Sequence, residues 1–174
     1  MPIEQSDDRI SRERLAAAAR SLLEASRLCA IATVGPDGSA HVNTAYFAFS
    51  PALDVVWMSA PEADHSGNIR ARRTAAIAVY DSRQSWGRQD RGIQLFGSAL
   101  EPVEPDADEA EALYARRFPG YEREQFGAYR LYVFRPQRIK LFDERNLGAG
   151  RFVTARVEHG GNLTWEATDV YRSG

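Results

Sequence analysis

A chain of 174 residues with 44% apolar and 26% charged side chains suits one globular domain with a real core and is short for two. Its 22 basic and 24 acidic residues leave a net charge of -2, which gives no reason to expect nucleic acid or an anionic membrane as a partner. The one cysteine, Cys29, excludes an internal disulfide and fits a reducing compartment. No apolar run approaches the ~20 residues that cross a bilayer. The polar start resembles neither a secretory signal nor a transit peptide, so a cytoplasmic protein is expected.

Residues 1–10 read as a polar arm, and residues 11–174 as a single domain. From Ser11, Leu15, Ala16, Ala19, Leu22 and Leu23 recur with helical spacing, with Ser11 placed to cap and an end expected near Ser26. Strands follow in close order: Cys29–Val34, Ala40–Phe49 and Val55–Ser59. Gly35-Pro36-Asp37-Gly38 and Ser50-Pro51 with Asp54 supply the turns. Cys29 sits in the first of these runs, where a small buried thiol is the simpler reading because nothing near it in sequence lowers its pKa.

A polar loop, Pro61–Gly67, leads to a short helix from about Ser66 to Arg73. Ala75–Asp81 reads as a strand, and Ser82–Asp90 as a polar loop with Trp86 at its centre. Arg91–Leu100 is a long strand whose Gly97 indicates a bulge or a close backbone approach. An acidic, proline-marked stretch then precedes a helix at about 107–118. Strands at 128–135, 138–143, 152–157 and 164–166 finish the chain. Short turns between most strands, with one leading helix and two inserted ones, argue a mainly β protein built on an antiparallel barrel. No glycine-rich strand-to-helix turn supports a nucleotide-binding parallel sheet.

His41, His65 and His159 share no ligand spacing with one another or with Cys29, so no metal site is expected. Nucleophile-elbow and P-loop patterns are absent. Arg70, Arg72 and Arg73, and the pair Arg116-Arg117, read as solvated helix faces and helix-end charges. Alternatively, the first cluster neighbours an anion site at His65-Ser66, where free backbone N–H groups face outward.

Four stretches carry a resemblance. They are Leu28–Val34 with its Gly-Pro-Asp-Gly turn; Val56-Trp57-Met58-Ser59 with the loop to His65-Ser66-Gly67-Asn68-Ile69; Arg91–Ala99; and Arg138–Phe142 followed by Gly150-Arg151-Phe152 and Trp165. Their order and spacing resemble the pyridoxamine 5′-phosphate oxidase-like family of FMN-binding split β-barrels, over residues 15–166. The resemblance implies a six-stranded split barrel, a homodimer, and FMN at the interface of the two copies.

It also implies cofactor contacts from Asn43, Thr44 and Ala45, from Met58 and Ser59, and from His65, Ser66 and Asn68. Arg91 and Gln94 would approach from the long strand, with Phe142 and Arg151 from the closing strands. Tyr46, Trp86 and Arg145 are the candidates for contact with a small organic substrate. Asn43 and Asp64 stand where arginines on the phosphate are common, and His65 where a lysine is. The segment between Phe142 and Arg151 lacks the oxidase's substrate-binding Arg-x-His pair, so a vitamin B6 oxidase is not expected. The alternatives are a deazaflavin (F420) reductase, or a flavin- or haem-binding sensor or carrier.

Overall fold

The computed structural model describes residues 3–171; residues 1–2 and 172–174, the tip of the expected arm and the end of the expected domain, lie outside the described residues. The strands are β1 (Ile3–Ser6), β2 (Leu28–Val34), β3 (Ala40–Phe49), β4 (Val55–Ser59), β5 (Thr74–Tyr80), β6 (Arg91–Leu100), β7 (Arg130–Asp143), β8 (Arg151–Val157) and β9 (Leu163–Tyr171). The helices are α1 (Arg12–Glu24), α2 (Asp64–Ala71), α3 (Asp106–Arg117) and α4 (Glu144–Leu147).

Side-chain alternation makes the barrel wall. On β2, Cys29, Ile31 and Thr33 are buried while Ala30 and Ala32 are only half-buried on the other face; β5 repeats this with Ala75, Ile77 and Val79 against Ala76 and Ala78. Two-residue periodicity of this kind sets which face meets the core. Strands pair antiparallel in the order β7-β4-β3-β2-β5-β6, and β6 pairs with β7 to close a six-stranded barrel. Beyond β7, the strands β8, β9 and β1 continue the sheet outward.

Both barrel ends are plugged. Ser11 Oγ accepts from the Arg14 N–H at 3.3 Å and starts α1, which buries Leu15, Ala18, Ala19, Leu22 and Leu23 in the main core. At the other end α2 buries Ile69, and Asn68 Nδ2 donates to Thr33 Oγ1 at 3.1 Å. Side chains such as Leu15, Leu23, Ile31, Ile77 and Leu95 are fully buried, each contributing about 1.5–3 kcal/mol relative to an exposed position. Helix α3 lies outside the barrel, where Ala110 and Tyr114 join Ala48, Val56 and Val133 in a second, smaller core. No helix among the described residues is long and apolar enough to cross a membrane.

The structure departs from the sequence expectations in five places. Residues 130–143 form one strand rather than two: Phe96 pairs with Arg138 and Gly97 with Pro136, leaving Gln137 as a bulge residue. The bulge absorbs Pro136, which has no N–H to give the ladder. Gly97 marks the same spot, since a Cβ there would lie 2.1 Å from the Arg135 carbonyl oxygen. Strand β9 runs nine residues instead of three, held on both sides by β8 and β1. Within the expected arm, Ile3–Ser6 pair with β9, because an edge strand needs backbone partners and not an apolar face. Helix α2 begins at Asp64, so His65 and Ser66 lie in its first turn, and of the three arginines only Arg70 is helical. The short α4 carries no helical period that could reveal it.

Candidate functional site

The barrel is open along part of one seam. Strands β3 and β4 pair only at Phe47–Trp57, Ala48–Val56 and Phe49–Val55. Before Phe47, β3 pairs with β2 and not with β4; after Trp57, β4 keeps only the β7 ladder it has from Val55, with Met58 opposite Leu131 and Ser59 opposite Arg130. The parted strands leave a cleft of about 750 Å³, within the roughly 300–1,000 Å³ of small-molecule sites. Asn43, Thr44, Ala45 and Tyr46 line it from β3, and Met58 and Ser59 from β4. His65 reaches it from α2; Tyr114, Arg117 and Phe118 come from the end of α3, and Tyr121, Phe126 and Tyr129 from the segment after it.

Polar groups collect beside α2. Ser59 Oγ and His65 Nε2 are 2.5 Å apart, and both residues are buried. The His41 ring stacks on His65 with centroids 6.2 Å apart, and His41 Nε2 lies 3.7 Å from Asp64 Oδ2. Burial holds His65 below its ordinary pKa, a positive His41 adds to this, and Asp64 partly offsets it. A neutral His65 shares one hydrogen bond with the Ser59 hydroxyl through Nε2, its direction set by the imidazole tautomer. Ser66 and Asn68 face the protein: Ser66 Oγ donates to the Ala60 carbonyl at 2.8 Å, and Asn68 is spent on Thr33. Of the four buried side-chain atoms without a hydrogen-bond partner among the described residues, Asn43 Oδ1, His41 Nδ1 and Arg117 Nε belong to residues in or beside this cleft. An acceptor sealed from water without a donor costs stability unless a ligand supplies one.

The arginines of the cleft are structural ties. Arg117 pairs with Glu24 at 3.2 Å, donates to the carbonyls of Leu23 and Ser26, and lays its guanidinium over Phe47 and Phe49. Arg27 donates to the Arg117 carbonyl at 3.2 Å. Together they fasten the end of α1 to the end of α3.

Of the residues singled out from sequence, Asn43, Thr44, Ala45, Tyr46, Met58, Ser59 and His65 meet in this one cleft. The others lie elsewhere in the protomer. Gln94 faces outward on β6, three strands from β3 by way of β2 and β5. Phe142 lies at the end of β7 that pairs with β6 and β8, away from the stretch paired with β4, and packs on Phe152 with centroids 5.6 Å apart. Arg91 makes a two-pronged contact with the fully buried Asp143, at 2.8 and 3.1 Å. Arg151 pairs with Asp8 at 3.0 Å, Arg145 is exposed on α4, and Trp86 is wholly exposed in its loop. Sequence reasoning missed Arg27, Tyr114, Arg117, Phe118, Tyr121, Phe126 and Tyr129. The available signal was the density of aromatic residues from 114 to 132.

This chain belongs to the pyridoxamine 5′-phosphate oxidase family, whose model matches residues 15–143. No curated protein matches it in sequence. Among solved structures, it is similar to a heme binding protein from Mycobacterium smegmatis, with 20% identity and a TM-score of 0.67 over 88% of this chain and 61% of that one. A pyridoxamine 5′-phosphate oxidase-related, FMN binding protein from Nostoc punctiforme PCC 73102 shares 17% identity, with a TM-score of 0.59 over 92% of this chain and 97% of the other. An F420 reductase shares 23% identity and a TM-score of 0.51 over 69% of this chain and 94% of the other. At these identities the likeness is one of fold.

Proposed function

We propose that the protein is an oxidoreductase that holds a flavin-type cofactor, FMN or the deazaflavin F420, in the β3–β4 cleft of a homodimer and acts on a small organic substrate. The observation that carries this reading is the opened seam in a member of this family, with the unpartnered Asn43 Oδ1 and the Ser59–His65 pair on its walls. The family resemblance supplies the cofactor class, and the FMN- and F420-linked fold relatives support it.

The residues present fit such a group. Asn43 Oδ1 is placed to accept from a ring N–H, and Thr44 and Ala45 present strand backbone beside it. Ser59 and His65 form a hydrogen-bonding end for an anionic tail, one that gains a cation only when His65 is protonated. The aromatic side chains of α3 and the segment after it exclude water from one flank. When bound, the cofactor supplies hydride or electron transfer, while the protein supplies binding, orientation and a dry wall.

A second copy explains why the expected contacts fall on two sides of one barrel. Between the cleft and the outward-facing Gln94 and Phe142 lie β2 and β5, whose outer faces carry the small side chains Ala30, Ala32, Ala76 and Ala78 in register. They are only half-buried in the single protomer, and Leu28, Val42, Tyr46 and Tyr80 are exposed around them. Two copies packed through this face about a two-fold axis exchange sides, so each cleft meets the partner's β6–β7 surface. Small residues let the backbones approach closely.

An absorbance spectrum of the protein as isolated, with mass spectrometry of anything released on denaturation, is the first test. Titration with FMN and with F420, followed by fluorescence, is the second. Retention or saturable binding of either supports the reading. A Soret band without flavin binding replaces it with a haem carrier, and binding of neither cofactor sinks it.

A further inference from the structure

One wall of the cleft is built of rings. Tyr114 packs on Phe118 with centroids 4.7 Å apart and meets Tyr121 edge-on at 5.5 Å. Tyr121 stacks on Phe126 at 5.8 Å, and Phe126 meets Tyr129 at 6.2 Å. Tyr46 closes the row from β3, edge-on to Phe118 at 5.9 Å. Such a row follows no helical or strand period. It exists because the segment after α3 folds back over the seam and is tied there by Glu111, which receives Tyr121 Oη at 3.3 Å and Arg123 Nη1 at 2.7 Å.

Most of the charges around this wall are committed. Arg117 is spent on Glu24 and two carbonyls, Arg123 on Glu111, and Arg130 on Glu101 and the carbonyls of Gly127 and Tyr129. Arg27, at the water-exposed rim, donates to the Arg117 carbonyl. Burial pushes the Tyr114 phenol up to about 12 and raises Tyr121 as well, so these two stay protonated. An anion entering among the rings would give up hydration with only the water-exposed Arg27 at the rim to receive it, and a cation would meet the guanidinium groups of Arg27 and Arg117. Tyr46 and Tyr129 keep 58% and 48% of their surface exposed, so their ring faces are still available.

We propose that this ring wall is the substrate side of the cleft and takes an uncharged, planar, fused-ring aromatic molecule. It adds a substrate class to the function proposed above and shares with that reading only the cavity. Flat rings match the offset and edge-on packing that aromatic side chains prefer, whereas a puckered ring of equal volume touches the wall at few points. The phenolic hydroxyls offer a hydrogen bond to a hydroxyl or carbonyl on the ligand's rim.

Equilibrium dialysis of the whole protein, with and without FMN, tests this with four probes: naphthalen-2-ol, naphthalene-2-carboxylate, 2-naphthyl-trimethylammonium and decahydronaphthalen-2-ol. Naphthalen-2-ol should bind about tenfold more tightly than the other three, and Tyr129→Ala and Tyr46→Ala should each weaken it by about threefold to tenfold. Both side chains are half exposed, so their loss leaves the fold intact; Glu158→Ala, exposed just after β8, should change nothing. Equal or tighter binding of a charged or puckered probe overturns the proposal, as do no binding of naphthalen-2-ol and indifference to both tyrosine variants. If naphthalen-2-ol binds as stated while FMN and F420 do not, the ring wall stands and the cofactor reading falls. If a flavin binds and naphthalen-2-ol does not, the reverse holds.

Discussion

Ser59 Oγ meets His65 Nε2 at 2.5 Å, with the His41 ring stacked on that imidazole and Asp64 beside His41. Burial first, then the neighbouring His41, holds His65 below its ordinary value of 6.5. The unfolded chain therefore binds more protons than the folded one in the window just below 6.5. Stability from this group is fully present above that window and is lost as the pH falls through it toward the folded-state pKa. Ligand binding runs the other way, because an anionic tail gains a cation only when His65 is protonated. FMN or inorganic phosphate should bind more tightly as the pH falls from about 7.5 to 5.5. His65→Lys should flatten that dependence and tighten binding at neutral pH. Fluorescence titration of FMN with phosphate competition measures both, and a flat profile for the unaltered protein would refute the idea.

Arg91 and Asp143 form the tightest buried ion pair on the barrel. Burial alone would raise Asp143, but hydrogen bonds from Arg91 and Asn146 and the guanidinium charge outweigh it and leave the carboxyl low. Asp143→Ala leaves Arg91 facing an apolar hole and should cost about 3 kcal/mol, the low end for such pairs because Arg91 is partly exposed. Urea denaturation reads this directly. A loss below roughly 1 kcal/mol would mean that the pair behaves as a surface one.

Gly92 lies under the Phe142 ring, where a Cβ would come within 2.1 Å of Cζ. Gly92→Ala should destabilise the protein by about 1–3 kcal/mol through overpacking. Since the obstacle is a side chain and not backbone, adding Phe142→Ala should relieve most of that penalty. A double-mutant cycle showing simple additivity would place the strain elsewhere.

The β2–β5 face gives the dimer its own test. Ala78→Arg puts a long charged side chain in the middle of a flat, small-residue patch, yet points it to solvent in the single protomer. Sedimentation should show a dimer for the unaltered chain and a folded monomer for the variant, with cofactor affinity falling alongside. A monomeric unaltered protein that still binds a flavin would remove the shared-site model.

The barrel was legible because alternation such as Cys29, Ile31 and Thr33 against Ala30 and Ala32 leaves its trace in composition, and because Gly-Pro-Asp-Gly and Ser-Pro end the strands. Strand β7 was read as two because Pro136 ordinarily ends a ladder, and only the partner strand, through Gly97, shows how the bulge accommodates it. Asn43, Ser59 and His65 were found by resemblance rather than by any period, and they do share a cleft. From sequence Arg117 reads as a helix-end charge, whereas its donors reach back to α1. The ring wall was invisible for a different reason. Five of its six rings come from one helix end and an irregular strap, whose fold depends on Glu111 holding it across a gap in sequence. No local pattern encodes that.

The parting of β3 from β4 is a property of main-chain pairing: through the opened stretch β3 keeps β2, and β4 keeps β7, as its ladder partner. The gap is therefore held open by β2 and β7, whose ladders bond the main chain of the lining residues and leave their side chains to face the cleft. Side chains at Asn43, Ser59, His65 or Tyr129 can be exchanged without loosening the frame, so such a gap can be retuned to new occupants in small steps. The same independence limits it: selectivity here has to be built side chain by side chain, because the opening itself favours no ligand.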